Sequence, residues 1–170
     1  MNKTKLKFLI FVQLLTPIFG ASPDPIFSEN GMVVSTSKQA SEAGVQILKK
    51  GGNAIDAAVA IGFALAVTSP SNGNIGGGGF LVATFADGRI ITQDHREKAP
   101  SLSHRDMFLS GSGDVIDGMS LYSRASSGVP GTVDGLVGIF RDHGSGAVSL
   151  KQVLAPAIKL AEKGFLISNY

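Results

Sequence analysis

The chain has 170 residues, 44% of them hydrophobic and 16% charged, which fits a packed globular chain and excludes a disordered one. Its 22 glycines follow no G-X-Y period, excluding collagen, and the absence of cysteine excludes disulfides, thiolate zinc sites and cysteine nucleophiles from these residues. With 15 basic and 13 acidic residues the net charge is only +2, and no basic patch marks a nucleic-acid partner.

Lys3, Lys5 and Lys7 precede an apolar run from Phe8 to Phe19, followed by the small residues Gly20, Ala21 and Ser22. This is the layout of a signal peptide, expected over residues 1–20 with cleavage near residues 20–21, and it predicts export to the periplasm or the extracellular space. The run is too short to span a bilayer comfortably. Three of the 15 basic residues and none of the 13 acids lie in that leader, so residues 21–170 carry twelve against thirteen, a net of −1.

After the proline-rich Ser22-Pro23-Asp24-Pro25, residues 32–35 (Met-Val-Val-Ser) read as a short strand. A helix is predicted over residues 37–50, where Ala40, Ala43, Gly44, Ile47 and Leu48 repeat on one face. Lys49 and Lys50 suit its C-terminal dipole and Gly51-Gly52 stops it. Asn53 then caps a second helix, with Asp56 in the capping-box position. That helix, residues 54–68, is apolar nearly all round and rich in small residues, so it is expected to be buried on most sides; Pro70 ends it.

Residues 80–85 and 89–94 are β-rich runs around Ala86-Asp87-Gly88, which predicts an antiparallel hairpin. Residues 101–135 read as irregular. A last helix begins at the cap Ser149 and reaches Lys163 before Gly164, with Pro156 predicting a kink or break. Helix pair, hairpin, helix makes the fold class α+β, without the βαβ alternation of a dinucleotide-binding fold.

Few segments carry chemistry. The run Gly73-Asn74-Ile75-Gly76-Gly77-Gly78-Gly79 lacks the Gly-Lys-Ser/Thr of a phosphate loop, and it follows a helix where a dinucleotide fingerprint would follow a strand. It reads as a close-packed turn, or as an oxyanion loop of stacked N–H groups. His95, His104 and His143 have no metal-ligand spacing, and no Gly-x-Ser-x-Gly elbow occurs. Residues 113–118 resemble a calcium loop faintly but lack the closing glutamate, and read as a turn. Arg96 follows a predicted strand and neighbours Asp94, His95, Glu97 and Lys98. Its planar fork suits a substrate carboxylate, while an ion pair with Asp94 or Glu97 is the alternative.

Taken in order, Gly31–Ser35, Gly51-Gly52-Asn53-Ala54-Ile55-Asp56-Ala57-Ala58-Val59-Ala60, Asn74–Phe80, Arg96-Glu97-Lys98-Ala99-Pro100, Ser127-Gly128-Val129-Pro130-Gly131-Thr132 and Pro156–Ala161 with Gly164-Phe165 resemble the N-terminal part of the large subunit of γ-glutamyltransferases (γ-glutamyl transpeptidases). The resemblance implies a partial N-terminal-nucleophile hydrolase fold, an αββα sandwich left incomplete by residues 21–170. It implies a precursor that cuts itself into two subunits, the new N-terminal threonine of the small subunit attacking a γ-glutamyl amide. The substrates implied are glutathione and other γ-glutamyl compounds, with water, an amino acid or a dipeptide as acceptor, and no metal or organic cofactor. Arg96 then takes the role of the arginine that binds the glutamyl α-carboxylate. No threonine here lies in the processing motif, so no catalytic residue is expected within these residues. A related secreted acylase acting on β-lactam side chains or poly-γ-glutamate, and a non-catalytic secreted glutamyl-binding module, are the alternatives.

Overall fold

The computed structural model describes residues 24–167, so the expected signal peptide lies outside the described residues. Residues 24–30 contain no helix or strand and belong to a separate unit; every element below belongs to the unit that begins at Gly31.

The first helix, α1 (Lys38–Lys49), is capped by Ser37, whose Oγ accepts the N–H of Ala40, and Ala40, Ala43, Gly44 and Ile47 form its buried face. A Cβ at Gly44 would lie 2.7 Å from Cδ1 of Ile61 on the next helix. Glycine there leaves room for the Ile61 and Val33 side chains to pack onto α1. Gly51, at φ +89°, turns the chain out of α1.

The second helix, α2 (Ala54–Thr68), starts at Asn53 with the predicted capping box formed in both directions. It is the hub of the fold, packing against α1 and two later helices, and none of its residues beyond Ala54 is exposed. That matches a sequence apolar on all sides: small residues at Ala57, Ala60 and Ala64 admit neighbours closely, and burial of the larger ones drives the packing.

Strands β1 (Phe80–Thr84) and β2 (Ile90–Asp94) pair antiparallel, Phe80 opposite Asp94 and Thr84 opposite Ile90. The Phe85 N–H donates to the Arg89 carbonyl at 2.9 Å around the three residues Ala86-Asp87-Gly88, with Gly88 at φ +86°. Inner-face residues Leu81, Ala83 and Ile91 join the core of Ile47, Val59, Leu136, Ile139 and Val153. The outer face is uncovered: Phe80, Val82 and Ile90 are 67%, 71% and 66% exposed.

Two expectations need correction, and of the two alternatives at Pro156 the break is excluded. Residues 32–35 form no strand. Their burial does alternate, with Val33 and Ser35 inward and Met32 and Val34 outward, but a strand needs a hydrogen-bonded neighbour, and the described sheet consists of β1 and β2 alone. The segment over residues 101–135 is not wholly irregular. It contains the short helix α3 (Met119–Tyr122) and a 3₁₀ turn (Arg124–Ser126), and at its end begins α4 (Thr132–His143). Helix α4 escaped the sequence reading because Gly135 and Gly138 weaken its propensity and Gly131 supplies no side-chain cap. Its Leu136 and Ile139 are nevertheless core residues. Among the described residues two long helices therefore follow the hairpin, each packed on α2. The second, α5 (Leu150–Lys163), begins at a Ser149–Gln152 capping box. It runs through Pro156 without a break, because the carbonyl that the proline leaves without a donor belongs to solvent-exposed Gln152.

A second capping role joins distant parts. Asp56 is 0% exposed and accepts from the N–H of Asn53 at 2.8 Å and of Ser145 at 3.1 and 3.3 Å. Asn53 Nδ2 donates to the His143 carbonyl at 3.0 Å. The start of α2 and the end of α4 thus share one polar joint.

Candidate functional site

Arg96 sits where the alternation of β2 carries it. Ile91 and Gln93 point inward and Ile90, Thr92 and Asp94 outward. The ladder continues one residue past the strand, His95 N–H donating to Gly79 O at 3.0 Å and Gly79 N–H to His95 O at 3.3 Å. His95 therefore faces the interior and Arg96 the open face of the hairpin, where its guanidinium carbon lies 5.7 Å from the Phe80 ring centroid. That is within cation–π range.

The guanidinium is half committed. Nε donates to Glu97 Oε2 at 3.0 Å with the Arg96 side chain 61% exposed. Asp94 makes no ion pair with it; Asp94 Oδ1 instead accepts the Arg96 backbone N–H at 2.9 Å. Nη1 and Nη2 make no hydrogen bond among the described residues. The carboxylate-clamp reading and the Glu97 ion-pair reading therefore do not compete for the same atoms, because the terminal edge of the fork stays open to a carboxylate.

Glu97 is itself held. Its own backbone N–H, then the Arg96 guanidinium, then the Gly78 N–H keep its carboxyl below the usual glutamate range. A Cβ at Gly128 would come within 3.0 Å of Glu97 Cβ, so the side chain lies in a niche that glycine keeps clear.

The glycine run builds the seat beneath. A Cβ at Gly78 would lie 2.6 Å from the His95 carbonyl oxygen and 2.8 Å from Arg96 Cα. No side chain fits there. The Gly77 carbonyl accepts from Gly131 and Thr132 N–H at 2.9 and 3.1 Å, and Thr132 Oγ1 donates to Asn74 O at 3.0 Å. The run is thus a close-packed turn clasped by the first residues of α4. The Gly79 N–H is taken by the His95 carbonyl at 3.3 Å, and the Gly78 N–H helps to lower the Glu97 carboxyl. Lys98 and Val129 exchange backbone bonds at 3.1 and 2.8 Å, fixing the chain beyond Arg96 as well.

The other residues singled out in the sequence stand apart from this site. His104 is exposed, and His143 ends α4 with its ring 5.8 Å from that of Phe85. Residues 110–114 close a turn with Gly113 at φ +88°. Among the described residues no three His, Asp or Glu side chains gather as metal ligands. What the sequence reading missed is the seat formed by Gly78, His95 and α4; the signal for it was the period-two alternation running on past Asp94.

The model of the family described as Gamma-glutamyltranspeptidase matches residues 40–170. The chain is 47% identical over 171 residues to the glutathione hydrolase proenzyme of Pseudomonas sp. (strain A14), covering 99% of this chain and 29% of that protein. It superposes on the crystal structure of the Helicobacter pylori gamma-glutamyltranspeptidase with a TM-score of 0.79 and 47% identity, over 85% of this chain and 41% of that one. The Pseudomonas nitroreducens gamma-glutamyltranspeptidase complexed with L-DON gives 0.76 and 41%, over 84% and 42%. The chain thus spans less than a third of the Pseudomonas sp. relative's length. Its helices and hairpin form part of the α+β N-terminal-nucleophile hydrolase fold of these neighbours. On the family match and the ordered likeness from α1 to α5, the chain belongs to the gamma-glutamyltranspeptidase family.

Proposed function

We propose that this chain is the glutamate-gripping portion of an exported enzyme that moves the γ-glutamyl group of glutathione and related amides to water, an amino acid or a dipeptide. The observation that carries the reading is Arg96: a strand-end guanidinium whose Nε is taken by Glu97 and whose terminal edge is free on an uncovered sheet face. A glutamyl α-carboxylate meets that edge with two parallel charge-assisted hydrogen bonds. In the family's chemistry, an N-terminal threonine outside these residues attacks the γ-amide, and its acyl ester passes to the acceptor. Arg96 positions the substrate and breaks no bond. The small subunit of the same precursor supplies the nucleophile, and neither metal nor organic cofactor takes part.

The reading is tested on the chain lacking residues 1–20, with γ-glutamyl-p-nitroanilide for turnover and L-glutamate calorimetry for binding. No turnover is expected, together with L-glutamate binding that Arg96→Ala abolishes. Robust turnover would overturn the external nucleophile. Binding unchanged in Arg96→Ala would overturn the anchor.

A further inference from the structure

The geometry points to His95 as the positioning residue of Arg96: its imidazole, wedged between β1 and α4, fixes which face of the hairpin the guanidinium occupies. This inference rests on Arg96 as the anchor. It adds a second support to that arginine, independent of Glu97.

Three elements converge on His95. Its backbone N–H and C=O both pair with Gly79, at 3.0 and 3.3 Å, extending the β1–β2 ladder. Its ring lies against the first turn of α4, where a Cβ at Gly135 would overlap the ring, and its carbonyl lies against Gly131 just as closely. On the strand side a Cβ at Gly79 would reach 3.0 Å from Nε2. So the ring fills a slot that glycines at 79 and 135 leave open. Beside it, Gln93 Nε2 donates to the Gly135 carbonyl at 3.0 Å, tying the same turn of α4 to the same inner face of β2.

Alternation converts this wedge into control over Arg96. Consecutive side chains of an extended chain point to opposite faces, so a residue 95 pinned inward forces residue 96 outward, over Phe80. Emptying the slot frees the last pair of the ladder to twist, and the guanidinium loses its aim. Nδ1 of His95 is buried without a hydrogen-bond partner among the described residues, so the ring is held by shape. A ring of similar outline therefore substitutes for it. Clamps act through small displacements, and misplacement by about 1 Å at a binding group weakens function out of proportion to the lost contact.

The test uses the ¹⁵N-labelled chain and follows the Arg96 Nε–Hε resonance, identified by its disappearance in Arg96→Lys, together with L-glutamate affinity. In His95→Ala the resonance moves from its Glu97-bonded position and affinity falls about tenfold, on the scale of one charge-assisted hydrogen bond. His95→Phe retains both. Gly135→Ala, which expels the ring from the α4 side, reproduces the His95→Ala result and serves if that variant does not fold. An unmoved resonance with unchanged affinity in His95→Ala overturns the proposal. Absent L-glutamate binding, or binding indifferent to Arg96→Lys, sinks the anchor reading instead, while the resonance still decides whether His95 orients Arg96.

Discussion

Replacing Asp56 by alanine removes the buried carboxylate that joins the start of α2 to Ser145, just past the Gly144 that closes α4. Two losses follow. Half of the α2 capping box disappears, which costs about 1 kcal/mol in comparable caps. The Ser145 N–H, bonded to both carboxylate oxygens at 3.1 and 3.3 Å, is left unpaired in a part-buried setting at roughly 1–3 kcal/mol. Against these stands the desolvation of a carboxylate that is 0% exposed and has no basic side chain paired with it among the described residues. The donated N–H groups and the positive end of α2 offset that desolvation in the native fold, so its relief recovers only part of the loss. The net destabilisation is about 2–3 kcal/mol, which for a unit of this size lowers the melting temperature by roughly 5–10 °C. Asp56→Asn keeps the shape and one acceptor but turns an amide donor toward an N–H, and falls between the two. Urea unfolding monitored by circular dichroism measures both. A loss below about 0.5 kcal/mol in Asp56→Ala, within the range of ordinary surface substitutions, would refute the reasoning.

Gly78→Ala places a methyl 2.6 Å from the His95 carbonyl and 2.8 Å from Arg96 Cα, contacts between backbones that cannot move aside. It is expected to destabilise by about 1–3 kcal/mol, with thermal unfolding as the check, whereas Gly88→Ala meets no atom within 4 Å and is penalised only through its φ of +86°. The acid limb of stability follows from three carboxylates held below their usual range: Asp87 by its hydrogen bond to Arg89, Glu97 by its own N–H and then Arg96, and Asp142 by Arg141. Because folding depresses these values, their contribution is fully present above the ordinary carboxylate range and is lost as pH falls through the lowered ones. Unfolding midpoints in urea should therefore decline below about pH 4.5. For Glu97→Gln that decline should be shallower, and an unchanged acid limb would remove Glu97 from the account.

Where local chemistry dictates structure, the sequence was sufficient. Asn53 and Ser149 cap the helices they were expected to cap, Pro70 follows the end of α2, and Asp87-Gly88 turns the hairpin. Where tertiary contacts override local preference, it was not. Helix α4 contains Gly135 where the His95 imidazole would overlap a Cβ, so one of the two glycines that weaken its signal is required by its packing, whereas a Cβ at Gly138 would meet only Gln93 Nε2 at 3.7 Å. Residues 32–35 alternate as a strand should but have no strand beside them among the described residues. For the site, Arg96 was legible as a strand-end guanidinium. The division of its fork between Glu97 and an open edge depends on the niche kept by Gly77, Gly78 and Gly128, which no spacing in the sequence reports.

The joint between α2 and α4 also bears on the order of assembly. Its bonds link positions 89 and 90 residues apart, whereas α1 and α2 meet across the four residues 50–53. Loop closure over such a span is entropically slow, so the α1–α2 pair condenses early and the joint closes late. Bonds made after the rate-limiting barrier act as a latch: weakening them leaves the refolding rate nearly unchanged and accelerates unfolding. The carboxylate of Asp56 thus governs how long the folded chain persists more than how fast it forms.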